Sequence, residues 1–178
     1  ICSYYVIAPA ECSSNLSRFD GVKYGYRSEG EKDIANLYMN TRSDGFGDEV
    51  KKRILIGTHV LSAGFYDAYY LQAQKVRRMI KVKFENFFKD VDLIFMPTTL
   101  DQAFEKNRKS DDPNRMYKED LLTIPANLAG LPAISFPNGF KNNLPIGGQL
   151  IGKYFGEDLL LNTAHKIQEV TDWHKMTP

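Results

Sequence analysis

Apolar positions along the chain predict alternating helices and strands. Helices are predicted where apolar residues recur every three or four positions, and strands where short apolar runs end at Pro, Gly or Asn. The predicted helices are Glu11–Leu16, Asp33–Arg42, one beginning near Gly47-Asp48, a long one over Tyr66–Phe88, Asp120–Ala129 and Glu157–Trp173. The predicted strands are Tyr4–Ala8, Val91–Met96, Pro132–Phe136 and Gly147–Ile151. This alternation indicates an α/β fold, with a mixed sheet flanked by helices.

The apolar stripes also predict which faces are buried. In the helix after Gly47 the stripe contains Val50, Ile54, Gly57 and Leu61, and in the long helix it contains Val76, Ile80, Phe84 and Phe87. The strand Val91–Met96 is continuously apolar, which predicts cover on both faces. The polar stretch Thr98–Arg115 predicts a long loop. Four short strands are few for a closed core, so we expect this chain to complete a larger sheet.

Composition sets broad limits. The chain has 178 residues and is 43% hydrophobic, which suits one domain of ordinary size. Its net charge of +1 gives no global field to attract nucleic acid, and the basic run Lys75–Lys83 is more simply explained as a solvated helix face than as a nucleic-acid patch. Cys2 and Cys12 form no metal-ligand spacing or disulfide framework, which favours a reducing compartment. No apolar run approaches the ~20 residues that a transmembrane helix needs.

Two segments carry a family resemblance. DLLTIPANLAGLPAISFPNGF (Asp120–Phe140) and GFGDEVKKRILIGTHVLSAGFYDAYYLQAQKVR (Gly45–Arg77) resemble the C-terminal part of amidase-signature proteins. RFDGVKYGYR (Arg18–Arg27) narrows the resemblance to the A, or glutaminase, subunits of glutamyl-tRNA(Gln) amidotransferases. The chain departs from that pattern in PTTLDQAF (Pro97–Phe104), in FPNGF (Phe136–Phe140) and in PIGGQ.

The resemblance implies that residues 1–178 are the C-terminal part of an amidase domain whose catalytic Ser-Ser-Lys half is absent from this chain. The chain begins at Ile1, within an apolar run, and contains no Gly/Ser-rich nucleophile loop. Ser13-Ser14 is a weak nucleophile candidate, because no glycine beside it would expose an oxyanion hole. Cys12 is equally weak, because nothing near it in the sequence would activate its thiol. The histidines follow helical patterns without partners at metal spacing. We therefore predict no catalytic residue and no metal ligand in this chain, and no activity for the chain alone.

The resemblance also assigns a substrate site. It implies that glutamine is held by Arg53 in EVKKRI, by Asp120 in MYKEDLL and by Tyr4 in YYVIA. A guanidinium binds a carboxylate with two hydrogen bonds, and a carboxylate binds an ammonium, so the pair suits a free amino acid. The residues alone leave simpler roles open: Arg53 as an exposed helix residue, and Asp120 as a helix N-cap. Strand alternation leaves open whether Tyr4 or Tyr5 points inward.

The implied function is hydrolysis of glutamine to supply ammonia for converting Glu-tRNA(Gln) to Gln-tRNA(Gln). The implied partners are the B and C subunits, with Glu-tRNA(Gln) reached through the complex and no membrane. No phosphate-cradling motif occurs, so the resemblance assigns ATP and Mg²⁺ to the B subunit and no cofactor to this chain. It implies a cytoplasmic location, or a mitochondrial or plastid one in a eukaryote. A fragment of a general amidase and an assembly module without activity stay open as alternatives.

Overall fold

The computed structural model describes residues 1–30, 32–105 and 118–177. These residues form two compact units, a first unit of Cys2–Val76 and a second unit of Ile1 with the residues from Arg77 onwards. The helices are α1 (Cys2–Leu16), α2 (Ile34–Gly45), α3 (Asp48–Val60), α4 (Leu71–Phe87), α5 (Ile124–Ala129) and α6 (Glu157–Glu169). The strands are β1 (Leu93–Pro97), β2 (Ala133–Lys141) and β3 (Leu144–Gly152). A π-helical turn, Tyr66–Tyr70, precedes α4, and a 3₁₀ turn, Trp173–Lys175, follows α6.

In the first unit, α1 packs against α3 at a glycine. A Cβ built on Gly57 would lie 1.9 Å from the carbonyl oxygen of Pro9, so only a residue without a side chain allows this approach. Ser13 and Thr58 join the same helices through a 2.9 Å hydroxyl–hydroxyl hydrogen bond. The prediction that Gly57 lies on the buried face of α3 is therefore confirmed. Gly57 is buried because the backbone of α1 packs directly against it.

The predicted strand Tyr4–Ala8 is wrong, because these residues belong to α1. Pro9, which was expected to end the strand, lies inside the helix and is buried with Ile7 and Ala10. A short apolar run does not distinguish a buried strand from a buried helix. Packing against α3 stabilises the helix here, despite the backbone hydrogen bond that a helical proline removes. The predicted helix Glu11–Leu16 is the second half of the same helix.

In the second unit, three antiparallel strands are arranged in the order β1-β3-β2. Asn142 and Asn143, with φ of 53° and 61°, make the two-residue turn between β2 and β3, as expected of a type I′ hairpin. The α/β class is confirmed, although the described strands pair only antiparallel where a mixed sheet was expected.

Helices cover both faces of this sheet. Leu160 and Ala164 of α6 pack with Phe136 and Leu150 on one face. On the other face, Ile151 of β3 packs with Ala126 of α5 and with Phe88, which directly follows α4. Alternate strand residues thus supply two separate small cores, as the pleat requires.

The stripe predicted for the long helix is partly wrong. Ile80 and Phe84 are half-buried as expected, but Val76 and Phe87 are exposed, and Phe88 is the buried residue at the end of α4. Phe84 and Phe88, four residues apart, stack at a ring-centroid distance of 6.3 Å. The cover predicted on both faces of the first strand is confirmed only in part. Leu93 packs against the core of one face and Ile94 against that of the other, but Phe95 is 54% exposed.

The remaining boundaries differ at the ends of strands and helices. The strand predicted to end at Phe136 extends to Lys141, and the one predicted from Gly147 begins at Leu144. Asp33 caps α2 by accepting a hydrogen bond from Asn36 N at 3.2 Å, as an N-cap Asp does. The helix predicted from Asp120 begins only at Ile124, and α6 ends at Glu169, before the predicted Trp173. The long loop predicted over Thr98–Arg115 lies partly outside the described residues. No helix in the described ranges is long and apolar enough to cross a bilayer.

Candidate functional site

Arg53 lies in α3 with an exposed, weakly held guanidinium. Its Nε is 3.3 Å from Glu49 Oε1, four residues earlier on the helix, and the two side chains are 44% and 51% exposed. An exposed ion pair of this kind contributes at most about 1 kcal/mol. A carboxylate ligand could therefore bind the terminal nitrogens of Arg53, or displace Glu49, at small cost.

Tyr4 lies in α1, in the same unit as Arg53. Because the segment is helical, strand alternation does not separate Tyr4 from Tyr5. Both side chains are half-buried, and their rings contact edge to face at 5.2 Å. Arg53 and Tyr4 are thus on the two helices that meet at Gly57, and that contact fixes the helices relative to each other.

Asp120 lies in the second unit, in the turn formed by residues 120–123 before α5. Its carbonyl oxygen accepts hydrogen bonds from Thr123 N at 3.2 Å and from Ile124 N at 3.0 Å. Asp120 as a whole is half-buried. The N-cap of α5 is Thr123, so the alternative role of Asp120 as the cap of this helix is wrong. The backbone of Asp120 is anchored by its own turn.

A residue that the sequence reasoning missed holds this turn against the sheet. Gln149, in the central strand β3, is 3% exposed. Its Nε2 donates to Leu122 O at 2.9 Å and to Pro97 O at 3.1 Å. The available signal was a single amide side chain between Gly148 and Leu150 in an otherwise apolar strand, because a buried polar group needs partners.

Helix α5 is held at its other end as well. Arg77 Nε donates to Leu128 O at 3.1 Å, and the Tyr154 hydroxyl donates to Ala129 O. Gly130, at φ 72°, ends the helix in the left-handed conformation. The turn with Asp120 and the helix that follows it are therefore fixed to α4 and to the segment after β3.

Among the nucleophile candidates, the Ser13 hydroxyl has a structural partner. Ser13 is bonded to Thr58 between α1 and α3, and the Ser14 carbonyl accepts from Ser17. Cys12 is half-buried and Cys2 exposed, both as free thiols. Thr98 and Ser135 form another hydroxyl pair at 2.8 Å, in which each hydroxyl is the other's partner instead of bonding a general base. The expectation that this chain supplies no catalytic residue stays a prediction.

Two further features bear on ligand binding. In the first unit, α2 and α3 border a mostly apolar cleft of about 450 Å³ lined by Tyr38, Met39, Arg42, Ser43, Phe46, Lys51, Ile54 and Leu55. Neither Arg53 nor Tyr4 is among the lining residues, so this cleft does not coincide with the predicted substrate residues of the first unit. Within the described ranges, no group of three or more His, Cys, Asp or Glu side chains is placed to hold a metal ion.

Comparison with known proteins decides the family. The Amidase family model matches residues 1–161. The chain belongs to the amidase family. Amidase-family structures also share its fold: the A subunit of the Thermotoga maritima glutamyl-tRNA(Gln) amidotransferase aligns over 99% of this chain and 34% of its own, with a TM-score of 0.67 at 40% identity. The 6-aminohexanoate cyclic dimer hydrolase aligns over 99% of this chain and 35% of its own, with a TM-score of 0.65 at 19% identity, which supports the fold alone.

Sequence comparison gives relatives of higher identity within the amidase family. It is 62% identical over 176 residues to the A subunit of the glutamyl-tRNA(Gln) amidotransferase of Hahella chejuensis, and 60% identical to that of Methylococcus capsulatus. Each alignment covers 99% of this chain but 36% of the relative. The chain thus spans about a third of the length of these relatives.

Proposed function

We propose that this chain is the glutamine-binding part of the glutaminase subunit of a glutamyl-tRNA(Gln) amidotransferase. The observation that carries the proposal is the 62% identity with the A subunit of the Hahella chejuensis enzyme over almost the whole chain. In the complete enzyme, glutamine hydrolysis would release ammonia for the amidation of Glu-tRNA(Gln). The Ser-Ser-Lys machinery would lie in the rest of the subunit, so the chain alone would be inactive.

We assign one role to each predicted site residue. The Arg53 guanidinium binds the α-carboxylate of glutamine, and the Asp120 carboxylate binds its α-ammonium. Tyr4 contributes a hydroxyl contact to glutamine or packs its ring against it. The exposed, weakly paired Arg53 and the backbone-anchored Asp120 support these roles. A zwitterionic head group needs both charges, because a buried charge without a partner is costly.

The remaining parts of the reaction belong to partners. We propose that ATP and Mg²⁺ act in the B subunit, that the B and C subunits assemble with this one, and that Glu-tRNA(Gln) is bound through the complex. The bacterial relatives support a cytoplasmic location in a bacterium.

The test replaces Arg53 by Ala in the full-length subunit within the three-subunit enzyme. Losing a charge-assisted hydrogen bond costs roughly 1.5–3 kcal/mol, so kcat/KM for glutamine should fall roughly 10- to 150-fold. Amidation driven by added ammonium salt bypasses glutamine, so its rate should not change. Lys52→Ala, at the exposed neighbouring position of α3, is the matched control and should retain both activities.

Two results would count against the proposal. If Arg53→Ala used glutamine as well as the wild type, Arg53 would not bind the substrate. If the variant lost glutamine-driven and ammonium-driven amidation equally, the substitution would have damaged the enzyme as a whole, and the assigned role would again be wrong.

A further inference from the structure

Gln149 connects three segments of the second unit through one side chain. It lies in β3, opposite Met96 of β1 and Ser135 of β2. Its amide reaches Pro97, the last residue of β1, and Leu122, in the turn before α5. The side chain of Gln149 therefore joins the residue that ends β1 to the turn before α5.

The hydrogen-bond chemistry fixes the orientation of this amide. Both partners are carbonyl oxygens, which accept hydrogen bonds, so only the NH₂ end of Gln149 can face them. The two N–H groups serve the two carbonyls, at 3.1 and 2.9 Å. A side chain that is 3% exposed makes these bonds in a site largely removed from water. Each bond is thus directional, and few other side chains could make both.

The turn held by Gln149 contains Asp120, two residues before Leu122. Within the turn the Asp120 carbonyl accepts from Thr123 N and Ile124 N, so the turn is rigid in itself. Gln149 supplies the link from this rigid turn to the central strand. Arg77 and Tyr154 hold the far end of α5, at Leu128 and Ala129.

We propose that Gln149 is a positioning residue for substrate binding, which acts by fixing the turn that carries Asp120. This inference rests on the proposed role of Asp120 as the partner of the glutamine α-ammonium. Gln149 does not touch the substrate. It sets where the Asp120 carboxylate lies, and a shift of the turn would weaken recognition of the ammonium group specifically.

The test compares glutamine with 4-carbamoylbutanoate, the same amide without the α-ammonium, in the full-length three-subunit enzyme. Gln149→Met removes both donors and keeps a side chain of similar length. It should raise KM for glutamine by roughly 10- to 100-fold, the scale of a misplacement of about 1 Å. It should leave kcat/KM for 4-carbamoylbutanoate within about twofold, because that substrate makes no use of Asp120.

Two more variants separate the possible failures. Asp120→Asn should reduce glutamine use, and adding Gln149→Met to it should have little further effect, because both act on one contact. If Asp120→Asn leaves glutamine kinetics unchanged, the proposed function of Asp120 fails. If Asp120→Asn is impaired but Gln149→Met is not, only the positioning role fails. If Gln149→Met lowers the rates of both substrates equally, Gln149 is purely structural. Gln149→Asn, which keeps an amide but is one methylene shorter, applies the same comparison if the Met variant does not fold.

Discussion

The contact between α1 and α3 makes Gly57 the most sharply constrained position in the first unit. In Gly57→Ala the added Cβ would lie 1.9 Å from Pro9 O, 2.5 Å from Pro9 C and 2.8 Å from Ser13 Cβ. Real Cβ contacts are essentially never shorter than 3.0 Å, so the helices must separate by at least about 1 Å. Two of the three clashing atoms belong to the backbone and cannot rotate away.

The cost follows from two opposing effects. Overpacking costs about 1–3 kcal/mol, and clashes with backbone belong to the upper part of that range. The higher helix propensity of Ala offsets about 1 kcal/mol of this. The net loss of about 1–2 kcal/mol corresponds to a fall in Tm of roughly 2–8 °C for a chain of this size.

Thermal unfolding followed by far-ultraviolet circular dichroism measures this change in the 178-residue chain and in the full-length subunit. Lys52→Ala is the control, because it introduces the same residue at an exposed position of the same helix. It should change Tm by about 1 °C or less. A Gly57→Ala variant as stable as the wild type would refute the close approach of the helices. Since α1 carries Tyr4 and α3 carries Arg53, we also expect a higher KM for glutamine in this variant.

Two other predictions concern the second unit and the chain as a whole. Arg77→Met leaves the buried Leu128 carbonyl without its donor, which should cost about 1–3 kcal/mol and lower Tm by several degrees; Arg78→Met, at an exposed position, should not. The 178-residue chain alone should release no ammonia from L-glutamine, whereas the full-length subunit should. Release by the chain alone would require a nucleophile among its own residues, and Ser13, Ser14 and Cys12 would then be tested.

Local patterns predicted most elements of the second unit correctly. The predicted strands Pro132–Phe136 and Gly147–Ile151 lie almost entirely within β2 and β3, and the helix predicted from Glu157 begins at that residue. The errors arise where a distant partner decides. Pro9 lies inside a helix because α3 packs against that helix, and Phe88 replaces Phe87 in the core because the sheet lies on that side of α4.

The candidate site was predictable only by resemblance. Arg53 lies in a helix that packs against α1, and Asp120 lies in a turn; neither composition nor periodicity assigns a ligand to either residue. Gln149 was visible as a polar residue in an apolar strand, but its partners, Pro97 and Leu122, are far away in the sequence. Long-range hydrogen bonds of this kind leave no local pattern.

The most direct test of the account is substrate discrimination by Asp120. Steady-state kinetics of the full-length enzyme with L-glutamine and with 4-carbamoylbutanoate give the preference for the α-ammonium in the wild type and in Asp120→Asn. The account predicts that the wild type strongly prefers glutamine and that Asp120→Asn loses most of this preference, roughly 10- to 150-fold, without losing activity on 4-carbamoylbutanoate. An unchanged preference in Asp120→Asn would show that Asp120 does not recognise the head group of glutamine.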